Sequence, residues 1–208
     1  VAKSLKDQYR SYIWFIIAFN SVFLYTVAQA DAIELAGLRA IFSDIGNLVP
    51  VGIAVVIATV LNGVLSPTAK ARLVFLRWRD ALPGYRAFSH YGQSDPRIDP
   101  AKLRAAIGQD FPTIGVDQNR MWYRLYRTVE SESRIVTLHR DFLLTRDYAS
   151  LSILFLVFYG SASLYAIPFS RVAITYICGL VLQYVLTRQA AVHYGVRLVT
   201  TVLAIKGG

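Results

Sequence analysis

Apolar residues along the chain gather into four blocks, and one long central stretch interleaves them with charge. The first block, YIWFIIAFNSVFLYTVAQA, follows Lys3, Lys6 and Arg10 and carries no charge. The second, NLVPVGIAVVIATVLNGVL, is also uncharged, with Pro50 near its entry where a missing N–H does little harm. The third is YASLSILFLVFYGSASLYAI, and the fourth runs from Val172 to Leu186. At about 1.5 Å of rise per residue, such runs cross most of a hydrocarbon layer roughly 30 Å thick. The pattern predicts membrane spans over about 12–30, 48–65, 148–167 and 172–186. Only a few residues around Pro168 join the last two, so they form an antiparallel hairpin.

Between the spans the pattern changes. Asp31–Asp44 places Leu35, Leu38, Ile41 and Phe42 at helical spacing beside Asp31, Glu34 and Asp44, as in a short amphipathic helix on the outer membrane surface. Ser66-Pro67 reads as an N-cap with proline at the first helical position. The helix it opens, PTAKARLVFLRWRDAL, runs to Pro83-Gly84 and mixes basic with aromatic residues, as juxtamembrane interfacial helices do. Residues 85–116 are loop-like, apart from a short helix capped by Asp99-Pro100 and ended by Gly108. From Asp117 the apolar stripe Met121, Leu125, Val129, Ile135, Leu138 and Phe142 predicts a helix. Neither proline nor glycine occurs from Asp117 to Tyr159, so this helix continues into the third span. After Arg188, Gln189, His193, Arg197 and Thr201 fall at successive i,i+4 positions. Val192, Val196, Val199 and Leu203 line another face, which predicts an amphipathic or surface-lying tail.

The fold class expected is an all-α integral membrane protein with four transmembrane helices and a helical cytosolic domain inserted between the second and third. Its parts are an N-terminal hairpin (1–65), a basic domain (66–147) and a C-terminal hairpin with an amphipathic tail (148–208). The first block is too long for a signal-peptide core and lacks a small-x-small cleavage site, so it reads as a retained signal anchor.

Charge orients the chain. Of 22 Lys and Arg, 14 lie between Ser66 and Asp147, whereas Arg39 and Arg171 are alone in the two outer connections. By the positive-inside tendency the middle domain and both termini are cytoplasmic, in a bacterial inner membrane. The net charge of +9 and a mean hydropathy of +0.42 agree with a basic protein facing lipid.

Little suggests catalysis. The one cysteine, Cys178, lies in an apolar run, reads as a buried small hydrophobe and has no metal-site spacing around it. His90, His139 and His193 are isolated, and no phosphate loop, dinucleotide fingerprint or metalloprotease motif occurs. Asp95, Asp99, Asp110 and Asp117 could meet around a metal, but Arg97, Lys102, Arg104 and Arg120 nearby favour ion pairing. No cofactor, metal site or catalytic residue is expected. The spans contain Asn20, Asn62 and Gln183 but no ionisable side chain, which argues against an ion-coupled transporter.

The candidate binding residues are Arg120, Arg124, Arg127 and Arg134, spaced to share one helix face, with Trp122, Tyr123 and Tyr126 among them. Guanidinium groups in a row suit phosphates, and aromatics suit bases. Ion pairing with Glu130, Glu132 or Asp141 is the alternative, and anionic lipid, nucleotide, nucleic acid or a protein partner are the ligand classes. Arg77, Arg79 and Arg86, with Trp78, Tyr85 and Tyr91, mark a second basic-aromatic surface around the Pro-Gly turn. Ala54 and Ala58, and the patch of Gly160, Ser161 and Ser163, are small enough for close helix approach in a homo-oligomer.

In layout, a compact membrane bundle with a cytosolic sensing region, the chain resembles the small multi-span membrane components of bacterial anti-phage systems. The resemblance covers the layout and carries no residue correspondence. It implies a place in phage defence, while the long helix, the arginine face and the small-residue patch point to a non-enzymatic sensor or scaffold that homo-oligomerises and engages an anionic ligand or cytosolic protein. A pore-forming effector gated by the cytosolic domain, and a membrane-bound enzyme, are the alternative readings.

Overall fold

The computed structural model describes residues 5–29, 48–108, 110–166 and 171–208, and every described element is helical. The amphipathic segment expected at Asp31–Asp44 lies outside the described residues. The longer elements are α1 (Leu5–Ala28), α2 (Leu48–Val64), α3 (Pro67–Phe75), α4 (Pro100–Ile107), α5 (Gly115–Arg127), α6 (Ser133–Ala166) and α7 (Arg171–Gly207). Three short helical turns, Pro83–Arg86, Ala87–Tyr91 and Gly92–Ser94, fill a stretch that reads as loop in the sequence.

Two helices among the described residues are long and apolar enough to cross a membrane, over Gln8–Ala28 and Ser133–Leu164. The second is 32 residues, about 48 Å of helix, well over a hydrocarbon layer of roughly 30 Å. Its charged residues, Arg134 through Asp147, all precede Tyr148, so only the later part is uncharged. The second expected span, α2, has 17 residues, and α7 joins an apolar first half to a more polar second half.

The chain divides into two compact units. The first comprises Val1–Lys6, Pro67–Arg146 and Arg188–Gly208, and the second Asp7–Ser66 and Asp147–Thr187. Residues 188–208, attached by sequence pattern to the C-terminal hairpin, therefore belong with the middle segment. They are a core helix, not a surface-lying tail: Leu198, Val199, Val202 and Leu203 are buried. The valine–leucine stripe is amphipathic because this half of α7 packs against protein on one face. Val199 and Leu203 join Ala87, Phe88, Ile98, Leu103 and Met121 in one cluster. The amide of Asp99 donates to Gly207 O at 2.8 Å, fixing the start of α4 on the end of α7.

The Asp99 cap forms as its sequence predicts. Its carboxylate accepts from the amides of Ala101 (2.8 Å) and Lys102 (3.3 Å), and Gly108 closes α4 at φ 74°. α3 ends earlier than expected, at Phe75. The Leu76 amide donates to Arg72 O at 2.9 Å with Leu76 in the left-handed region (φ 51°), a terminating position that usually holds glycine.

The long helix expected from Asp117 into the third span is corrected. α5 stops at Arg127, and α6 starts at Ser133 and then continues unbroken to Ala166. The break needs neither glycine nor proline. The Thr128 hydroxyl donates to Leu125 O at 2.7 Å, and the amides of Thr128 and Val129 close tight turns on Leu125 O and Tyr126 O. Arg124 and Arg127 end α5 while Glu130 and Glu132 precede α6, so each charge suits the helix dipole beside it. The reversal buries the predicted stripe on two helices: Met121, Val129, Ile135, Leu138 and Phe142 are all in the core.

In the second unit Ile17, Leu24, Ala58, Leu151, Phe155, Tyr159, Tyr176 and Leu180 form the core. Polar side chains point inward and pair: Ser21 with Tyr159 (2.8 Å), Gln183 with Tyr148 (3.1 Å) and Tyr9 with Asp147 (3.3 Å). Cys178 departs from its expected burial and is exposed, on the outward side of α7.

Close packing in the first unit rests on Gly195. A Cβ there would lie 2.9 Å from Phe142 Cε2 and 2.9 Å from Phe75 Cζ, and these rings already contact each other at 6.4 Å between centroids. Replacing Gly195 with alanine gains up to about 1 kcal/mol of helix propensity, but forcing two packed rings apart costs about 1–3 kcal/mol. The expected outcome for Gly195→Ala is net destabilisation of about 1 kcal/mol, read as a lower thermal midpoint for the detergent-solubilised chain.

Candidate functional site

The arginines that sequence spacing assigns to one face separate in the structure. Arg120, Arg124 and Arg127 lie on α5, whereas Arg134 lies in the first turn of α6 across the 128–132 connection. Arg120 pairs with Asp117 at 3.3 Å and Arg127 with Glu130 at 3.6 Å, all well exposed. Glu130 is thus used by Arg127 and not held for Arg134. Only Arg124 of the α5 set is exposed with no ion pair among the described residues.

Trp122 and Tyr126 turn inward. They stack at 5.6 Å between centroids, and the Tyr126 hydroxyl lies 2.8 Å from His139 Nδ1. With Asn119, Phe142 and Leu198 they line a cavity of about 220 Å³, where the Trp122 Nε1 donor is buried without a partner. Burial, and then Arg146, push the His139 pKa down, with Glu130 opposing.

On the other predicted surface Arg79 and Arg86 are exposed and Arg77 is half-buried. Trp78, 78% exposed, takes the Arg72 guanidinium over its ring at 5.0 Å. Ala58, Gly160 and Ser163 are buried in their own bundle, so they pack within the chain, not between copies. Ser161 is exposed, and the Ala54 side chain lies outside the described residues.

A different constellation converges. One groove of about 810 Å³ runs past Tyr91, Asp95, Arg97, His193, Tyr194, Arg197 and Thr200. A neighbouring hollow of about 440 Å³ shares Arg97, Tyr194 and Arg197, and adds Ser133, Arg134, Thr137, Asp141 and Thr201. The two hollows adjoin across these shared side chains and together make a trough wholly within the first unit. Its walls are the polar face of α7, the first turn of α6 and the Asp95–Arg97 turn.

Local chemistry sets each group. Asp95 accepts from the amide of Arg97 (3.0 Å), from its Nε (2.9 Å) and from its Nη2 (2.6 Å), a two-pronged grip that fixes the guanidinium plane. Arg97 Nη2 also donates to Thr200 Oγ1 at 3.1 Å. The Arg97 side chain holds the Asp95 carboxyl down at about 2 in spite of burial, and the carboxylate raises the Arg97 pKa in turn. The other acid in the trough, Asp141, is taken by Arg140 through Nε (3.2 Å) and Nη2 (3.1 Å). Arg134 and Arg197 are exposed and have no carboxylate partner among the described residues. The trough thus holds two engaged acids and two unneutralised guanidinium groups.

Of these residues only Arg134 belongs to the set drawn from sequence spacing. The signal for the α7 wall is the His193, Arg197, Thr201 repeat, which sequence reading assigns to a tail. Arg97 gives only a local signal, an Asp-Pro-Arg turn. The four aspartates considered for a metal are used apart: Asp95 with Arg97, Asp99 as a cap, Asp117 with Arg120, and Asp110 exposed. Among the described residues no three His, Cys, Asp or Glu side chains converge.

Gln118 has no motif around it but holds the turn that carries Tyr91. Buried at 2% exposure, its Oε1 accepts from the amides of Phe88 and Ser89 and from Ser89 Oγ, each at 3.1 Å. Its Nε2 donates to Thr113 O at 3.1 Å. The short turns bearing Tyr91 are pinned to α5 by this one amide.

No protein-family model, curated protein or solved structure matches the chain.

Two pH dependences follow. Asp95 titrates near 2 when folded against 3.8 for an unperturbed aspartate, so its stabilisation is present above about pH 4 and lost as pH falls toward 2. With Arg97 half exposed, the pair contributes about 1 kcal/mol after screening. Between pH 5 and 2, Asp95→Asn should lose less thermal stability than the native chain. His139, with its folded pKa below the unfolded value near 6.5, contributes stability above that pH and loses it on acidification. His139→Gln should flatten the dependence of the thermal midpoint on pH between 7 and 5.

Proposed function

We propose that the chain is a four-span membrane protein, a non-enzymatic sensor or scaffold whose charged unit takes an anionic ligand on the cytoplasmic side. The observation that carries the reading is where large apolar side chains are exposed. In the second unit Phe15, Phe19, Val22, Val56, Val60, Val64, Ile174 and Leu186 are each more than half exposed. Ser21, Ser150, Ser152 and Ser163 there are buried. Water-soluble proteins keep contiguous exposed apolar patches small, whereas lipid solvates such a surface and leaves polar groups to pair inside.

This exposed apolar surface extends over α2 and the first half of α7 as well as the two helices that are long and apolar enough on their own. That supports α2 and residues 171–187 as the remaining spans. The first unit carries the arginine-rich exterior, and the excess of basic residues there supports its cytoplasmic placement. The trough, with Arg134 and Arg197 unneutralised, supports an anionic ligand as what that unit engages.

Membrane integration and sidedness are tested together. In a Cys178→Ser background, Ser131→Cys should react with a membrane-impermeant maleimide in inverted vesicles and stay unlabelled in intact cells. The chain should remain in the membrane pellet after alkaline carbonate washing. Release by carbonate would overturn the membrane reading, and labelling in intact cells would overturn the orientation.

A further inference from the structure

We infer that the trough between α6, α7 and the Asp95–Arg97 turn is a binding site for a small soluble organic phosphate with a planar ring, of the nucleotide class. The inference deepens the anionic-ligand reading above and rests on it.

Three features define the ligand. The first is charge. Arg97, Arg134 and Arg197 come from three separate chain segments and line the smaller hollow together, and Arg97 and Arg197 line the larger one as well. Both carboxylates in it, Asp95 and Asp141, are already engaged by arginine. The charge left over belongs to Arg134 and Arg197, which a bound phosphate would neutralise with paired N–H donors. Asp95 has a second consequence. By gripping Nε and Nη2 it orients the Arg97 guanidinium and leaves Nη1 without a hydrogen-bond acceptor among the described residues. That donor is the one available to a third phosphate contact.

The second feature is hydroxyl chemistry. The hydroxyls of Ser133 and Thr201 line the arginine-rich end beside Thr137, whose own hydroxyl donates to Ser133 O at 2.9 Å. Ser133 and Arg134 open α6, so the positive end of a 34-residue helix faces the same hollow. Phosphate oxygens accept from such groups, whereas an acidic peptide would need room for a chain. The third feature is the other end of the trough, where Tyr91, His193 and Tyr194 supply ring faces and edges. A planar heterocycle stacks on such residues. The larger hollow, about 810 Å³, is within the roughly 300–1,000 Å³ usual for small-molecule sites.

The α5 face makes a weaker claim to the same ligand. Arg120 and Arg127 are paired locally along the exposed face of one helix. It therefore serves as the control.

The test uses the full chain in nanodiscs of zwitterionic lipid, titrated calorimetrically with inorganic pyrophosphate and with nucleoside mono-, di- and triphosphates. The native chain should bind nucleotides more tightly than pyrophosphate, with affinity falling as salt is raised. Arg134→Gln and Arg197→Gln should each weaken binding about tenfold, the loss of one charge-assisted contact, while Arg120→Gln with Arg124→Gln stays within about twofold. Both trough arginines are exposed, so folding should survive, and an unchanged thermal midpoint verifies it. Arg197→Lys should keep part of the affinity that Arg197→Gln loses.

A parallel arm measures retention on vesicles containing anionic phospholipid. If the trough variants lower that retention while no soluble phosphate binds, the groove reads headgroups and the proposal is overturned. Absence of binding by every probe at millimolar concentration overturns it as well, as does binding that the trough variants leave unchanged. Membrane integration is measured independently by carbonate extraction and labelling, so failure here is distinct from failure of the membrane reading.

Discussion

Burial of the second half of α7 is the constraint on which the first unit depends. Residues 188–208 form part of that unit's core while their polar face walls the trough. Gly195 lets Phe75 and Phe142 close onto the helix, Val199 and Leu203 anchor the turns around Phe88, and Gly207 O holds the start of α4. Without this helix the segments carrying Tyr91, Arg97 and Arg134 would have no common surface to pack on. Site and core are two faces of one element, and the helical period keeps them on opposite sides.

The two units differ in what they bury and what they expose. In the first, exposed charge surrounds buried leucine and phenylalanine, as hydrophobic burial in water requires. In the second, hydroxyls and amides pair inside while phenylalanine and valine face out. α6 and α7 each contribute to both units, and in each the composition changes along an unbroken helix. Backbone hydrogen bonding is satisfied locally throughout a helix, so a helix can pass between the two regimes without interruption.

Several charges in the first unit are taken up in local pairs. Arg120, Arg127 and Arg140 each hold an acid within three residues in sequence, and such exposed pairs carry modest stability. Arg134 and Arg197 differ because the fold brings them to one hollow whose acid, Asp141, is already held by Arg140. Gln118 contributes without charge. Its single side chain satisfies three donors and one acceptor on the segments beside α5.

The sequence by itself determined the helical class, the uncharged blocks and the Asp99-to-Gly108 helix with its caps, because these depend on composition and on neighbours a few residues away. Tertiary structure decided the rest. The break at 128–132 follows from hydroxyl and amide closures on the α5 terminus together with burial of Met121 and Ile135 on separate helices, which periodicity alone cannot show. The small-residue patch was legible as a packing feature, but only the fold showed that Gly160 and Ser163 are used inside the chain. Arg97, Arg134 and Arg197 are widely separated in sequence, and nothing local marks them as partners. They meet because apolar burial on the far side of α7 aims its polar face at the first turn of α6.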